Sequence, residues 1–429
     1  MKHKLTTILF AVLLFSSISY SQWTYVGAWP DTNYKNGTHG IVVDPDGKIW
    51  TASYYQDNWI TPTDTIKTCP IFVFNPDGSL LDVLYTVTGA GNTDTLKGRT
   101  RGMRADADGN ILYTQSGPSK MIKINYQTRE RMGSKLIPET GSSPTAPGVS
   151  DDGTIYVGPV VGNGASTAFI ATWSSDLTYL GTVIQGPAAI ARTMTISGDG
   201  LTLYWTVFTG SQGIKIYTRP SELDAFQLTD SAFTNGTNGM SIESVDWDPL
   251  TGHLWVSSDA RGNDAYGDLT WYAVDVTNMS IVDSFILPDP RPGITDPDKL
   301  PRGLAFSPDG SEVYVGLFGT AYDRLYKFER PVSVEQEGQI VVDGYKLSQN
   351  YPNPFNPTTK INFELSAAGF TTLKIYDMLG KEVATLVQNE LNSGSHSVNF
   401  DASSLASGTY MYQLNVNGTR ITNKMILLK

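Results

Sequence analysis

Six times between residues 39 and 316, a short apolar run meets a polar turn and is followed by a second, aromatic-rich run. The copies read HGIVVDPDGKIWTA (39–52), RGMRADADGNILYT (101–114), TAPGVSDDGTIYVG (145–158), RTMTISGDGLTLYWT (192–206), ESVDWDPLTGHLWVS (243–257) and RGLAFSPDGSEVYVG (302–316). Each predicts a tight hairpin, because Asp hydrogen-bonds its own turn and Gly takes a positive φ at no steric cost. The turn glycines are Gly47, Gly109, Gly153, Gly200, Gly252 and Gly310, spaced 62, 44, 47, 52 and 58 apart. Further strand-like runs follow the copies, such as IFVFNPDG (71–78) and LLDVLYTV (80–87). Four strands at a period of ~40–50 residues is the pattern of a β-propeller blade. The last copy lacks a fourth strand after RLYKFER (324–330), and WTYVGAW (23–29) stands ahead of the first copy to supply it. The expectation is an all-β chain: a six-bladed propeller closed by an N-terminal strand. A seventh blade would have to occupy one of the longer gaps between glycines.

A different pattern follows residue 344. Ile361, Phe363 and Leu365 alternate with polar positions, as do Leu373 and Ile375, Val398 and Phe400, and Tyr410, Tyr412 and Leu414. This predicts a small Ig-like β-sandwich. Pro352, Pro354 and Pro357 cannot donate ladder hydrogen bonds and belong at an edge or in a turn. Gly380 and Gly408 are natural turn residues. The polar stretch 331–344 reads as a linker.

The same C-terminal residues carry a resemblance. YPNPFNP, with Pro352, Asn353 and Pro354, is followed by IYDMLG at Ile375–Gly380, which contains Tyr376. SGTYMYQL at Ser407–Leu414 and the terminal Lys424–Lys429 complete the set. Residues 345–429 resemble the type A C-terminal sorting domain of the type IX (Por) secretion system of Bacteroidota. The resemblance implies an address read by the outer-membrane translocon, with Gly380, Gly408, Lys424 and Lys429 in the signal, and a product secreted or held at the cell surface. The repeats at 22–330 resemble the NHL-type and YVTN-type propellers of secreted bacterial proteins.

The other end agrees with export. Lys2, His3 and Lys4 precede an apolar run, Ile8–Phe15, and small residues stand at Ser19 and Ser21. This is the layout of a cleaved signal peptide over 1–21. The run is far short of the ~20 residues that span a bilayer, so no transmembrane segment is expected.

Composition narrows the chemistry. With 31 basic and 42 acidic side chains the formal charge is −11, which opposes binding to nucleic-acid phosphates. One cysteine, Cys69, excludes an internal disulfide and a Cys-rich metal site, and it reads as a buried thiol. Beyond the leader only His39, His253 and His396 exist, too few for a multi-histidine centre in the propeller. Phosphate-loop, HExxH, nucleophile-elbow and dinucleotide motifs are missing. The pairs Asp44/Asp46, Asp106/Asp108, Asp151/Asp152 and Asp246/Asp248 lack calcium-loop spacing and read as turn residues. No metal and no cofactor are expected.

Candidate binding residues come from the repeat itself. Propeller ligands usually meet the mouth of the central channel, where the inner strands begin. His39, Arg101, Thr145, Arg192, Glu243 and Arg302 open those strands. Guanidinium forks match carboxylate and sulfate oxygens, so three arginines there read as an anion-binding ring. The insertion 53–69 adds Tyr54, Tyr55 and Trp59, aromatics suited to sugar faces; the loops 206–213, 257–269 and 316–324 share that side. The expected function is noncatalytic binding of an acidic glycan or a surface protein. The alternatives are a lactonase-like metal hydrolase and a lyase. The hydrolase needs carboxylates where this chain carries arginines, which would repel a cation.

Overall fold

The computed structural model describes residues 23–427 except 142, 161–166, 188–190, 209–211, 235–238, 259–265, 294–299, 331–339, 343–344, 348–349, 351–354, 378–380, 407 and 418. The chain divides into two compact units, Met1–Pro331 and Val332–Lys429. The signal peptide, Pro352, Asn353, Pro354, Gly380 and Lys429 lie outside the described residues.

In the first unit, six antiparallel four-stranded sheets form among the described residues. Their inner strands are Thr38–Val43, Met103–Ala105, Gly148–Val149, Met194–Ile196, Ile242–Trp247 and Pro301–Phe306. Each inner strand touches the next, and the sixth touches the first, so the ring is closed. The closing strand is Thr24–Trp29, paired antiparallel with Leu325–Glu329 from Thr24↔Glu329 to Trp29↔Leu325. The long first gap holds no blade. It carries two small hairpins, Asp57–Ile60 with Thr65–Thr68 and Thr86–Gly89 with Asn92–Thr95.

Hydrophobic side chains are concentrated at the seams between blades. Six buried clusters serve six seams among the described residues. The fifth–sixth seam packs Trp23, Trp255, Phe285 and Phe306, and the sixth–first seam packs Trp29, Ile41, Phe74 and Tyr314. All six predicted turn glycines have positive φ, between 69° and 84°. The acidic residues beside them act as expected: Asp44 accepts the Asp46 and Lys48 amides, and Asp106 those of Asp108 and Asn110. Asp248 accepts the Leu250 amide, whereas blades three, four and six use Ser150/Asp152, Ser197/Asp199 and Ser307/Asp309.

Asp246 departs from the turn reading. It lies on the fifth inner strand and forms an ion pair with Arg104 of the second blade. Blades two and five are opposite in a ring of six, so this pair straps the channel across its diameter. Residue pattern alone does not separate it from Asp248, because the two carboxylates stand two apart on one strand and its continuation.

In the second unit, two four-stranded sheets face each other. Ile361, Phe363, Leu373, Ile375, Phe400, Tyr412 and Leu414 fill the core, as the alternation predicts. Ile340–Val342 pairs with Tyr345–Leu347 as an edge strand of the sandwich, inside the stretch read as linker.

Candidate functional site: the channel mouth

Strand register explains how the mouth is built. The first inner strand slips register between Thr38 and Gly40, the fifth between Ile242 and Val245, and the sixth between Pro301 and Leu304. Such bulges re-aim side chains out of the ladder, and here the re-aimed residues include His39, Glu243 and Arg302. Arg101 and Arg192 stand two residues ahead of their own inner strands. These five, with Gly303, line a void of about 10 Å³. A Cβ at Gly303 would stand 2.6 Å from Ile41 Cδ1 and 2.9 Å from the His39 carbonyl oxygen, so only glycine lets blades six and one close here.

The five residues converge as the repeat predicts, but the opening they leave is the size of one water. A sugar cannot enter it. His39, Arg101 and Glu243 also line a cavity of about 140 Å³, together with Ile41, Met103, Leu304, Phe306 and the Arg104–Asp246 strap. Thr145 does not join the ring, and its hydroxyl accepts the Gly158 amide at 3.1 Å.

Charge at the mouth is arranged around one carboxylate. Glu243 Oε1 lies 3.2 Å from Arg192 Nη1 and 3.4 Å from Arg302 Nη1, with its side chain fully buried. Arg302 also donates to the Pro301 carbonyl at 2.6 Å. Each ring guanidinium lies on an aromatic ring: Arg101 on Tyr54 at 4.3 Å, Arg192 on Phe208 at 4.5 Å and Arg302 on Phe318 at 5.1 Å. The three aromatics follow the second strands of blades one, four and six. Phe208 and Phe318 were not singled out from sequence, although that shared position is a readable signal.

His39 is buried between Tyr54 and Phe318, at ring separations of 5.1 and 5.3 Å. Burial, then the Arg302, Arg101 and Arg192 guanidiniums, hold its pKa well below the usual imidazole range, so the ring is neutral at pH 7. Among the described residues, its Nε2 has no hydrogen-bond partner, and neither does Arg101 Nε. Burial works to raise the Tyr54 pKa, and Arg101 and Arg99 more than reverse it. The Tyr54 hydroxyl accepts from Arg99 at 3.1 Å and from Arg101 at 3.3 Å. Arg99, Arg101 and Tyr54 thus form a partly exposed cationic and aromatic face on the outer side of the mouth.

Trp59 is not part of that face. It lies flat on Tyr85, 5.7 Å away, on the insertion hairpin. Cys69 is buried against the Tyr54 and Tyr55 carbonyls, and burial raises its thiol pKa to about 12. It is a structural thiol, as expected. Residues 209–211 and 259–265 of the mouth-side loops lie outside the described residues.

Residues 349–428 match the family described as secretion system C-terminal sorting domain. The C-terminal unit is a type IX sorting domain. It directs the propeller to the cell surface or out of the cell. Among the described residues, no helix is long and apolar enough to cross a membrane. Tyr376 and the exposed Lys424 lie on strands of the sorting domain, and Gly408 begins the strand Gly408–Val416.

Deleting Lys424–Lys429 removes Met425 and Leu427, both fully buried in this domain. The truncated protein is expected to accumulate in the periplasm with the propeller folded, because the propeller has its own core. Cell fractionation with limited proteolysis reads this, and release or display at parental levels would contradict it.

Among solved structures, the chain is similar to PorZ, a surface component of the type IX system of Porphyromonas gingivalis. Identity is 16%, coverage 91% of this chain and 51% of that one, and the TM-score 0.41. The chain therefore spans about half the length of PorZ. It is also similar to a streptogramin B lyase (14% identity, 72% and 98% coverage, TM-score 0.47). A third is a calcium-binding regucalcin from Agrobacterium tumefaciens (13%, 71% and 93%, 0.47). No curated protein is similar enough to match the sequence.

Proposed function

We propose that the exported propeller is a noncatalytic binding module whose channel mouth takes an acidic glycan. The observation that carries this reading is the set of guanidiniums Arg101, Arg192 and Arg302, gathered with a neutral His39 around the single carboxylate Glu243 among the described lining residues. Because the void they enclose fits only one small atom or water, the ligand lies across the outer face. There Arg99, Arg101 and Tyr54 offer charge-assisted hydrogen bonds and an aromatic surface. On a chain of net charge −11, a local cationic face concentrates an anion at one opening while the rest repels it.

A lactonase-like reaction requires a divalent cation at this position. One carboxylate among three guanidiniums is a poor donor set for such an ion, so no step is derived through it.

The test is a glycan array followed by titration of the double variant Arg99→Gln/Arg101→Gln. Uronate and sulfated chains are expected to bind tighter than neutral ones, with affinity falling as salt rises. The double variant should lose ~10-fold or more on the acidic ligands and little on neutral ones. Arg192 and Arg302 are left in place, since removing either would weaken the pairing of the fully buried Glu243. An array blind to charge would overturn the reading and favour a protein partner.

A further inference from the structure

Arg324 stands at the seam between the sixth and first blades, on the side of the propeller that carries the mouth. Its amide donates to the Tyr34 carbonyl at 2.8 Å, and its guanidinium lies 3.8 Å over the Phe72 ring. The residue is only 3% exposed, and its Nε and Nη1 have no hydrogen-bond partner among the described residues. It forms no ion pair with the described residues. Asp57 exerts the strongest pull of opposite charge, yet that carboxylate accepts from Asn36 Nδ2 at 2.8 Å. Burial lowers the guanidinium pKa to about 10, and Asp57, Tyr34 and Tyr85 offset this only in part.

A buried cation without acceptors is costly, and a native structure seldom keeps one without a use. The missing partner is an anion. The guanidinium lies over the Phe72 ring, and Tyr34 packs edge-on against that ring at 6.2 Å. A recessed cation among aromatic rings is the combination that holds a carboxylate while a sugar ring rests on a flat apolar face. We infer that Arg324 is the anchor of a second binding site, at the seam between blades six and one, for the carboxylate of an acidic sugar. The ligand class rests on the function proposed above, but the site does not depend on the mouth.

The experiment compares the mature protein with Arg324→Met, which keeps an apolar stem, and with Arg101→Gln. Melting temperature and calorimetric titration are read with sodium glucuronate as probe, against glucose and against sodium chloride at equal ionic strength. Without sugar, Arg324→Met is expected to melt ~2 °C or more above the parent, because an unpaired buried cation has been removed. With glucuronate the parent should gain stability, and Arg324→Met should bind at least ~10-fold more weakly. Glucose should shift neither. That fall in affinity upholds the seam site whatever Arg101→Gln does. A lower melting temperature for Arg324→Met would make the arginine structural and overturn the inference. So would glucuronate shifting parent and Arg324→Met equally, or shifting neither. Loss of the response in Arg101→Gln alone would uphold the mouth and overturn the seam.

Discussion

Deletion of Trp23–Trp29 is expected to leave a propeller that aggregates or melts far below the parent. Trp23 packs against Trp255, Phe285 and Phe306 with ring separations of 5.8–6.1 Å, and Trp29 against Phe74 and Tyr314 at 5.4 and 4.9 Å. Truncating a buried Trp to Ala costs about 3–5 kcal/mol. Two such losses approach the whole ~5–15 kcal/mol stability of a domain, before the bare edge of Leu325–Glu329 is considered. The single variants Trp23→Ala and Trp29→Ala should each show about half the effect in urea unfolding. A deletion variant that unfolds with the parent would show that this strand does not close the ring.

Asp248→Asn should cost about 3–5 kcal/mol, the usual penalty for breaking a buried pair on one side. Arg330 grips both Asp248 oxygens, at 2.8 and 2.6 Å, donates to the Gly310 carbonyl at 2.8 Å and lies 4.5 Å over Trp23. Burial pushes the Asp248 carboxyl up, but hydrogen bonds from Arg330 and Thr251 more than reverse this and hold it below its usual value. A depressed folded-state pKa gives stability that is present above the unfolded value, ~3.9, and lost as pH falls through the folded one. Urea curves of parent and variant should therefore stay equally far apart from pH 5 to 8 and converge below ~4. A gap independent of pH down to 2.5 would contradict the charged pair.

The repeat makes most of this architecture legible in the sequence. A missing fourth strand at one end and a spare strand at the other predict closure, because a propeller edge must be paired. The Asp-Gly turns are legible for the same reason, since local chemistry decides them. The mouth residues are legible because the repeat puts them at equivalent positions. What could not be read is whatever depends on distance across the ring. Arg104 and Asp246 are 142 residues apart in sequence, and nothing local marks them as partners. The size of the void is set by bulges at His39, Glu243 and Arg302, which residue types do not announce. Arg324 ends a loop as one more charged residue. Its isolation is visible only once Phe72, from another blade, is seen beneath it. Trp59 was placed with Tyr54 because both lie in one insertion, whereas the hairpin turns them toward different neighbours.

The closing strand also sets the order of events during synthesis. Thr24–Trp29 is made near the beginning of the chain, and its partner Leu325–Glu329 comes only after five blades have been made. Contacts so far apart in sequence form late and slowly. Until then the earliest segment has its tryptophans and one strand edge uncovered, and the fifth–sixth seam stays half built. Native closure is therefore a property of the finished propeller alone. A chain still being made therefore keeps the apolar surfaces of its first strand and of its fifth blade uncovered until the sixth blade arrives to meet them.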